Sequence, residues 1–289
     1  MQPPGTFQVI AGLRTHVVVD GHGPPLLYLA ALGGNWFDFD HVAALLEDRW
    51  TIIRYDRPGY GFSEPLRVGE LPSLAAEVSR TDQILDTLGI VGPVVVVAHS
   101  LASLYAEAYA RSRPARVAGV IMLDGSYVLL PWQLVPPRWS NRFAHATATV
   151  ITKLPLPRAA GTLAHRIATS PGAPEELNEK QQALVDEIFN GKNYPRALLV
   201  EQLAFGVLSS ELTGLRRTHD LTAPALVVSA VSRHRTPVRI FWNWKQRCYA
   251  ARLGAEYRML SPARHYFVVH QPEVTARLIE EFTDRVVRG

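Results

Sequence analysis

Residues 94–103 read Val-Val-Val-Val-Ala-His-Ser-Leu-Ala-Ser. Four valines make an apolar run with no polar face, the pattern of a strand buried on both sides of a parallel sheet. The stretch from Leu101 to Ser112 is rich in Ala, Leu and Tyr and stops before Pro114, as a helix does. Ser100 therefore stands where a buried strand turns into a helix. Such a turn strains the backbone of the residue that makes it. Strand and helix can approach closely only if the residues two before and two after are small, and here they are Ala98 and Ala102. Free amides and the helix dipole at that terminus favour a developing negative charge. Ser100 reads as a nucleophile and the Leu101 N–H as an oxyanion donor. A serine that merely caps the helix is the plainer alternative.

Working outward, strands and helices alternate. Thr15–Asp20, Leu26–Ala30, Trp50–Tyr55, Val117–Leu123, Ala225–Ala230 and Glu256–Leu260 read as further strands. Leu74–Leu88, Ile240–Leu253 and Glu273–Val287 read as helices. This rhythm implies an α/β fold, a mostly parallel central β-sheet flanked by helices. The rhythm breaks between residues 128 and 216. No strand is apparent there, prolines recur, and helical patches run over Glu175–Phe189 and Arg196–Leu208. The expected division is a core of residues 1–127 and 217–289 with an inserted all-helical cap at 128–216, lying over a site.

The chain of 289 residues is 47% hydrophobic, ample for a large core. Its 30 basic residues against 26 acidic ones are mostly Arg and lie scattered, with no run that would bind nucleic acid. Cys248 is the single cysteine, so no disulfide forms within the chain. The first residues lack the basic start and apolar run of a signal peptide, and no apolar stretch approaches the ~20 residues of a membrane span. A cytoplasmic protein, monomer or homodimer, acting on a small molecule is expected. The histidines show no metal-ligand spacing, and no glycine-rich nucleotide motif is present, so no cofactor or metal is expected.

Three motifs together resemble the α/β-hydrolase family. Asp56-Arg57-Pro58-Gly59-Tyr60-Gly61-Phe62-Ser63 is similar to the family's D-x-x-G-x-G-x-S turn. Ala98–Ala102 is similar to its nucleophile elbow, with alanines for the usual glycines. His265-Tyr266-Phe267-Val268-Val269-His270-Gln271-Pro272-Glu273 matches its late H-x(5)-Q-P-E stretch. The resemblance covers nearly the whole chain and implies the α/β-hydrolase fold with a helical cap. It makes His265, among ten histidines, the catalytic base. His270 and His99 then read as structural.

The acid departs from the family pattern. Relatives usually carry it in the loop after the seventh strand, but residues 231–237 hold none, and no Asp or Glu occurs between Asp220 and Glu256. Asp124, after the preceding strand, is the expected substitute, although Asp-Gly is also a common turn pair. The family's His-Gly after the third strand has become Ala30-Ala31. The backbone N–H of Leu32 is still expected to pair with that of Leu101 around an oxyanion, with Gly33 as a stand-in. Trp36, Trp132, Trp139 and Phe143 are expected to line an apolar pocket, with Phe205 and Leu208 behind them.

The reading is a serine hydrolase cleaving a carboxylester, thioester or lactone through a Ser100-His265-Asp124 triad and an acyl-enzyme. Serine at position 100 argues against epoxide-hydrolase or dehalogenase chemistry, whose relatives carry Asp there. Two alternatives stay open: a catalytically altered protein that binds a ligand under the cap, and a lyase or cofactor-free oxygenase with His265 as base.

Overall fold

A computed structural model describes residues 3–127, 137–153, 179–233 and 236–288. Eight strands form one sheet: β1 Thr6–Ile10, β2 Leu13–Asp20, β3 Pro25–Leu29, β4 Thr51–Tyr55, β5 Val94–His99, β6 Val117–Leu123, β7 Ala225–Ala230 and β8 Glu256–Leu260. Their order is β1-β2-β4-β3-β5-β6-β7-β8. The first two pairings, β1 with β2 and β2 with β4, are antiparallel, and the rest are parallel. The helices are α1 Asp40–Leu46, α2 Leu74–Thr87, α3 Ser103–Ser112, α4 Pro137–Lys153, α5 Glu179–Asn190, α6 Asn193–Leu215, α7 Pro237–Leu253, the short α8 Phe267–His270 and α9 Pro272–Arg288.

The four valines of β5 show why the sheet is central. Val94 and Val96 pack into one core with Leu74 and Ile84 of α2 and Leu104 of α3. Val95 and Val97 point the other way, into a second core with Val42 of α1 and Ile279 of α9. Each buried valine contributes roughly 1.5–3 kcal/mol, so this strand is held equally from both faces. β1 escaped the sequence reading because it is an edge strand with only Ile10 buried. A tight turn, in which Ala11 (φ 51) and Gly12 (φ 77) both take left-handed conformations, folds it onto β2.

Between β6 and β7 every described element is a helix: α4, α5 and α6. α6 has 23 residues and is long and apolar enough by composition to cross a membrane. Its contacts account for that character otherwise. Ala204, Leu208 and Leu212 are buried in the core that holds α2 and α3, and the carboxylate of Glu201 is bound inside the protein. Leu208, with Phe205 packed on the same cluster, thus belongs to the core.

The turn after β4 is organised by one carboxylate. Buried Asp56 accepts from His16 Nδ1 of β2 at 2.8 Å, the Trp36 N–H at 3.0 Å and the Phe62 N–H at 3.1 Å. Ser63 Oγ donates to Asp56 O at 2.7 Å and accepts the His16 N–H at 2.9 Å. A side chain at Gly61 would run into the Asp56 carboxylate, which explains the glycine. The D-x-x-G-x-G-x-S pattern is thus a clamp that fixes β2, β4 and the segment after β3 together.

At the end of β5, buried His99 donates from Nε2 to the backbone O of His265 at 2.9 Å. It ties the β5 end to the loop after β8. Burial first, and the neighbouring His265 next, hold its pKa down to about 3.

Two expectations follow. Asp56→Ala strands three buried donors, each left without a partner at a cost of about 1–3 kcal/mol; urea denaturation should show a loss of several kcal/mol. His99 refuses in the folded state a proton that the unfolded chain takes up below about pH 6.5. Its stabilising contribution is therefore complete above that pH and lost progressively as pH falls toward 3. The fall in urea midpoint between pH 7 and pH 4.5 should be smaller in His99→Gln than in the wild type.

Candidate active site

The β5–β6 register pairs His99 with Leu123. The next residues, Ser100 and Asp124, thus emerge side by side at the carboxyl end of the sheet, where open α/β sheets present ligands. Both adopt left-handed backbones, with φ 56 at Ser100 and φ 45 at Asp124. Together with Ala11 of the β1–β2 turn, they are the described non-glycine residues with positive φ. Strain of this kind persists where surrounding structure over-determines it. Here Ala98 and Ala102 are fully buried beneath the turn, and the Ser126 N–H holds Ser100 O at 3.0 Å. The helix begins as a single 3-10 turn, Ser100–Ala102, before α3 proper. The Leu101 N–H belongs to this first turn, whose amides have no acceptor within the helix.

His265 arrives from the loop after β8. Its Nε2 lies 2.9 Å from Ser100 Oγ, and its Nδ1 lies 2.6 Å from Asp124 Oδ2. Ser100, His265 and Asp124 thus form one continuous row of hydrogen bonds. In the neutral imidazole the carboxylate takes the Nδ1 hydrogen, leaving the Nε2 lone pair for the serine hydroxyl.

The acid's other oxygen is also occupied. Asp124 Oδ1 accepts the Ala230 N–H at 3.0 Å and Trp242 Nε1–H at 2.9 Å. A carboxylate only 2% exposed needs such donors, because a buried polar atom without a hydrogen-bond partner is costly. Burial pulls the Lys245 ammonium, 3.9 Å from the Trp242 ring, down to about 8, opposed by Asp124. Sequence reasoning missed Trp242 and Lys245. It also missed Ser126, whose Oγ lies 3.3 Å from Ser100 Oγ.

The loop after β3 is held from below. Gly33 (φ 73) lies inside a turn closed by the Gly34 N–H on Ala31 O at 2.9 Å. Arg57, from the turn after β4, donates to Ala30 O at 2.5 Å and Ala31 O at 2.8 Å. It also forks onto Glu201 of α6, at 2.8 and 2.9 Å. Tyr60 and Tyr105 hydroxyls complete the Glu201 carboxylate at 2.8 and 2.9 Å. Burial opposes the Arg57 charge, but Glu201 outweighs it and keeps the guanidinium protonated. The two phenols are held well above their ordinary values by burial and then by Glu201, so they stay donors.

Of the residues expected around a pocket, Trp36 is buried against His16, Phe37 and the Arg54 guanidinium, contacts that belong to the framework of the β3 loop. Trp132 lies outside the described residues. Trp139 and Phe143 stand on α4, with side chains outside the described ones. A cavity opens beside the Arg57–Glu201 pair, lined also by Tyr60, Leu71, Arg80 and Tyr105. Ser100 and His265 do not line it.

Comparison with known proteins agrees with this architecture. Residues 24–270 match the family model described as alpha/beta hydrolase fold. The uncharacterized protein Mb2734 of Mycobacterium bovis is 29% identical over 165 residues, 57% of this chain and 47% of its own length. The chain thus spans about half the length of the first curated relatives it matches. The putative carbamate hydrolase RutD of Variovorax paradoxus is 27% identical over 92% of this chain and 95% of its own. Among solved structures, epoxide hydrolase VrEH1 from Vigna radiata superposes with TM-score 0.73 at 19% identity, covering 97% of each chain. A thermophilic esterase from Thermogutta terrifontis does so with TM-score 0.68 at 18% identity, over 97% of this chain and 98% of its own. At these identities the solved structures speak for the fold alone. From the matched model and the eight-stranded sheet, the chain belongs to the α/β-hydrolase fold family, a family of hydrolases.

Proposed function

We propose that the protein is a serine hydrolase that cleaves an ester-type bond of a small, apolar substrate: a carboxylester, a thioester or a lactone. The observation that carries this reading is the unbroken row Ser100–His265–Asp124, with links of 2.9 and 2.6 Å. Ser100 Oγ attacks the carbonyl carbon while His265 Nε2 takes its proton. The carbonyl oxygen becomes an oxyanion between the Leu32 and Leu101 amides, each donor typically worth about 2.7–4 kcal/mol in the transition state. Asp124 steadies the imidazolium. The tetrahedral adduct expels the alcohol or thiol, which takes the proton from His265 and leaves an acyl-Ser100. Water, deprotonated by the same histidine, releases the acid and restores the serine.

Serine also bears on which electrophile fits. A serine that opened an epoxide would leave an ether, which water does not readily cleave, so turnover would stop after one cycle. An acyl carbonyl leaves an ester that the same machinery can hydrolyse. A carbamate presents the same kind of carbonyl, and the similarity to a protein named as a putative carbamate hydrolase is a reason to include carbamates beside esters in a substrate screen. A carboxylate held by two donors and hydrogen-bonded to His265 weighs against a purely ligand-binding role, a reading that draws on the acid-free residues 231–237 and on Ala30-Ala31.

A fluorophosphonate should label Ser100 stoichiometrically, read by intact mass and peptide mapping, and His265→Ala should abolish the adduct. Well-folded wild-type protein that takes no label would sink the reading. Asp124→Asn should lower kcat on a short-chain aryl ester by roughly two to four orders of magnitude, as in triads that lose their orienting acid. Unchanged turnover would remove Asp124 from the mechanism.

A further inference from the structure

Glu201 is a carboxylate 4% exposed in the middle of a helix, and it joins the inserted segment to the β3 loop. Its two oxygens take four donors. Oε1 accepts from Arg57 Nε and Tyr105 OH, and Oε2 accepts from Arg57 Nη2 and Tyr60 OH. Nothing in this arrangement touches Ser100, His265 or Asp124. Its output is the placement of Arg57, two of whose remaining hydrogens bind the carbonyls of Ala30 and Ala31.

Those two carbonyls determine where the Leu32 amide points. In a trans peptide the C=O and N–H lie in one plane and point in opposite directions. Arg57 and the Gly34 N–H both hold Ala31 O, so the Ala31–Leu32 peptide has little freedom to rotate. A second anchor lies on the same helix. Tyr194 OH donates to Gly33 O at 2.8 Å, and a side chain on Gly33 would meet Leu198 and Tyr194. Tyr194, Leu198 and Glu201 are spaced i, i+4, i+7, so one stripe of α6 bears on the loop. With alanines at 30 and 31, the loop's path is fixed by these contacts to its backbone oxygens.

We propose that Glu201 is a positioning residue for the oxyanion hole: from α6 it fixes Arg57, and Arg57 holds the Ala30 and Ala31 carbonyls so that the Leu32 N–H is aimed at the oxyanion formed on Ser100. This rests on the serine-hydrolase reading above. It makes the inserted helix part of transition-state stabilisation and not merely a cover.

The test uses the full chain in three variants. Glu201→Gln puts an NH2 against two donors whichever way the amide is turned. Arg57→Lys keeps the positive charge but cannot span both carbonyls and both Glu201 oxygens. Glu211→Gln is the control: Glu211 lies on the same helix and accepts the Leu74 N–H of α2 at 2.7 Å, with no hydrogen bond to the β3 loop among the described residues. With p-nitrophenyl acetate, kcat should fall about ten- to a hundred-fold in the first two variants, short of the roughly 10²–10³ of a donor removed outright, with KM little changed. The inhibition constant of 1,1,1-trifluoroacetophenone, whose serine adduct carries an oxyanion, should rise by the factor by which kcat/KM falls. Amide hydrogen exchange in the 30–35 segment should speed up by about tenfold or more, as local opening becomes cheaper. The control should lose stability alone.

Three results would overturn the proposal. In one, Glu201→Gln leaves both exchange in the 30–35 segment and kcat at wild-type values. In another, its losses match those of Glu211→Gln at equal stability, which would make Glu201 a purely structural residue. In the third, the wild-type chain turns over no ester and takes no fluorophosphonate. That result removes the serine-hydrolase reading and the proposal with it, whereas the first two leave the reading intact.

Discussion

The hydrogen bond between His265 Nδ1 and Asp124 Oδ2, 2.6 Å long, is the interaction on which the arrangement turns. It joins residues 141 positions apart, and three features of the fold must hold at once for it to form. The β5–β6 register must set Ser100 beside Asp124. β7 must lie between β6 and β8, so that the Ala230 N–H can reach the acid. The loop after β8 must cross back over the sheet rim, where His99 catches the His265 carbonyl. A one-residue slip in β5 against β6 would turn the serine and the acid to opposite faces. The valine run of β5 resists such a slip because its alternate valines fill two separate cores.

Much of this was legible in the sequence, for identifiable reasons. The parallel strands announce themselves as short apolar runs because both faces of each are buried. Ser100 was readable because a strand-to-helix turn between small residues constrains composition locally. Asp124 was the candidate acid because residues 231–237 carry none and it ends the preceding strand, on the sheet rim that also bears Ser100, where some members of the resembled family take their acid. What escaped are features whose partners lie far along the chain. Glu201 sits 144 residues from Arg57 and looks like any helix glutamate. Trp242 sits 118 residues from Asp124 and reads as one aromatic among several on α7. β1 is an edge strand whose single buried residue leaves little apolar pattern to recognise. Local periodicity records burial, not pairing.

The alanines that depart from the family pattern around the site, for glycine at 98, 102 and 31 and for histidine at 30, share a physical logic. At Ala98 and Ala102 the added methyls are fully buried, so strand and helix still approach and the extra volume fills core. At Ala30 and Ala31 the methyls are likewise buried, and the loop departs from its usual composition while its carbonyls are gripped by Arg57. The conformational freedom a glycine would supply is retained only at Gly33, where the turn demands a left-handed residue. Backbone donors make such replacement tolerable, because what matters is the direction of an N–H and not the side chain beside it.

On the proposed reading, an acid at the end of β6 and not in the loop after β7 also accounts for what occupies β7 and α7. A carboxylate serving the histidine from β6 lies under the end of β7. That end therefore supplies donors in place of an acid, from the Ala230 N–H and, across the loop, Trp242 Nε1–H. With no acid in residues 231–237, the hydrogen bond to His265 Nδ1 falls, among the described residues, to Asp124. On the proposed serine-hydrolase reading, that bond holds the imidazole in the tautomer whose Nε2 faces Ser100.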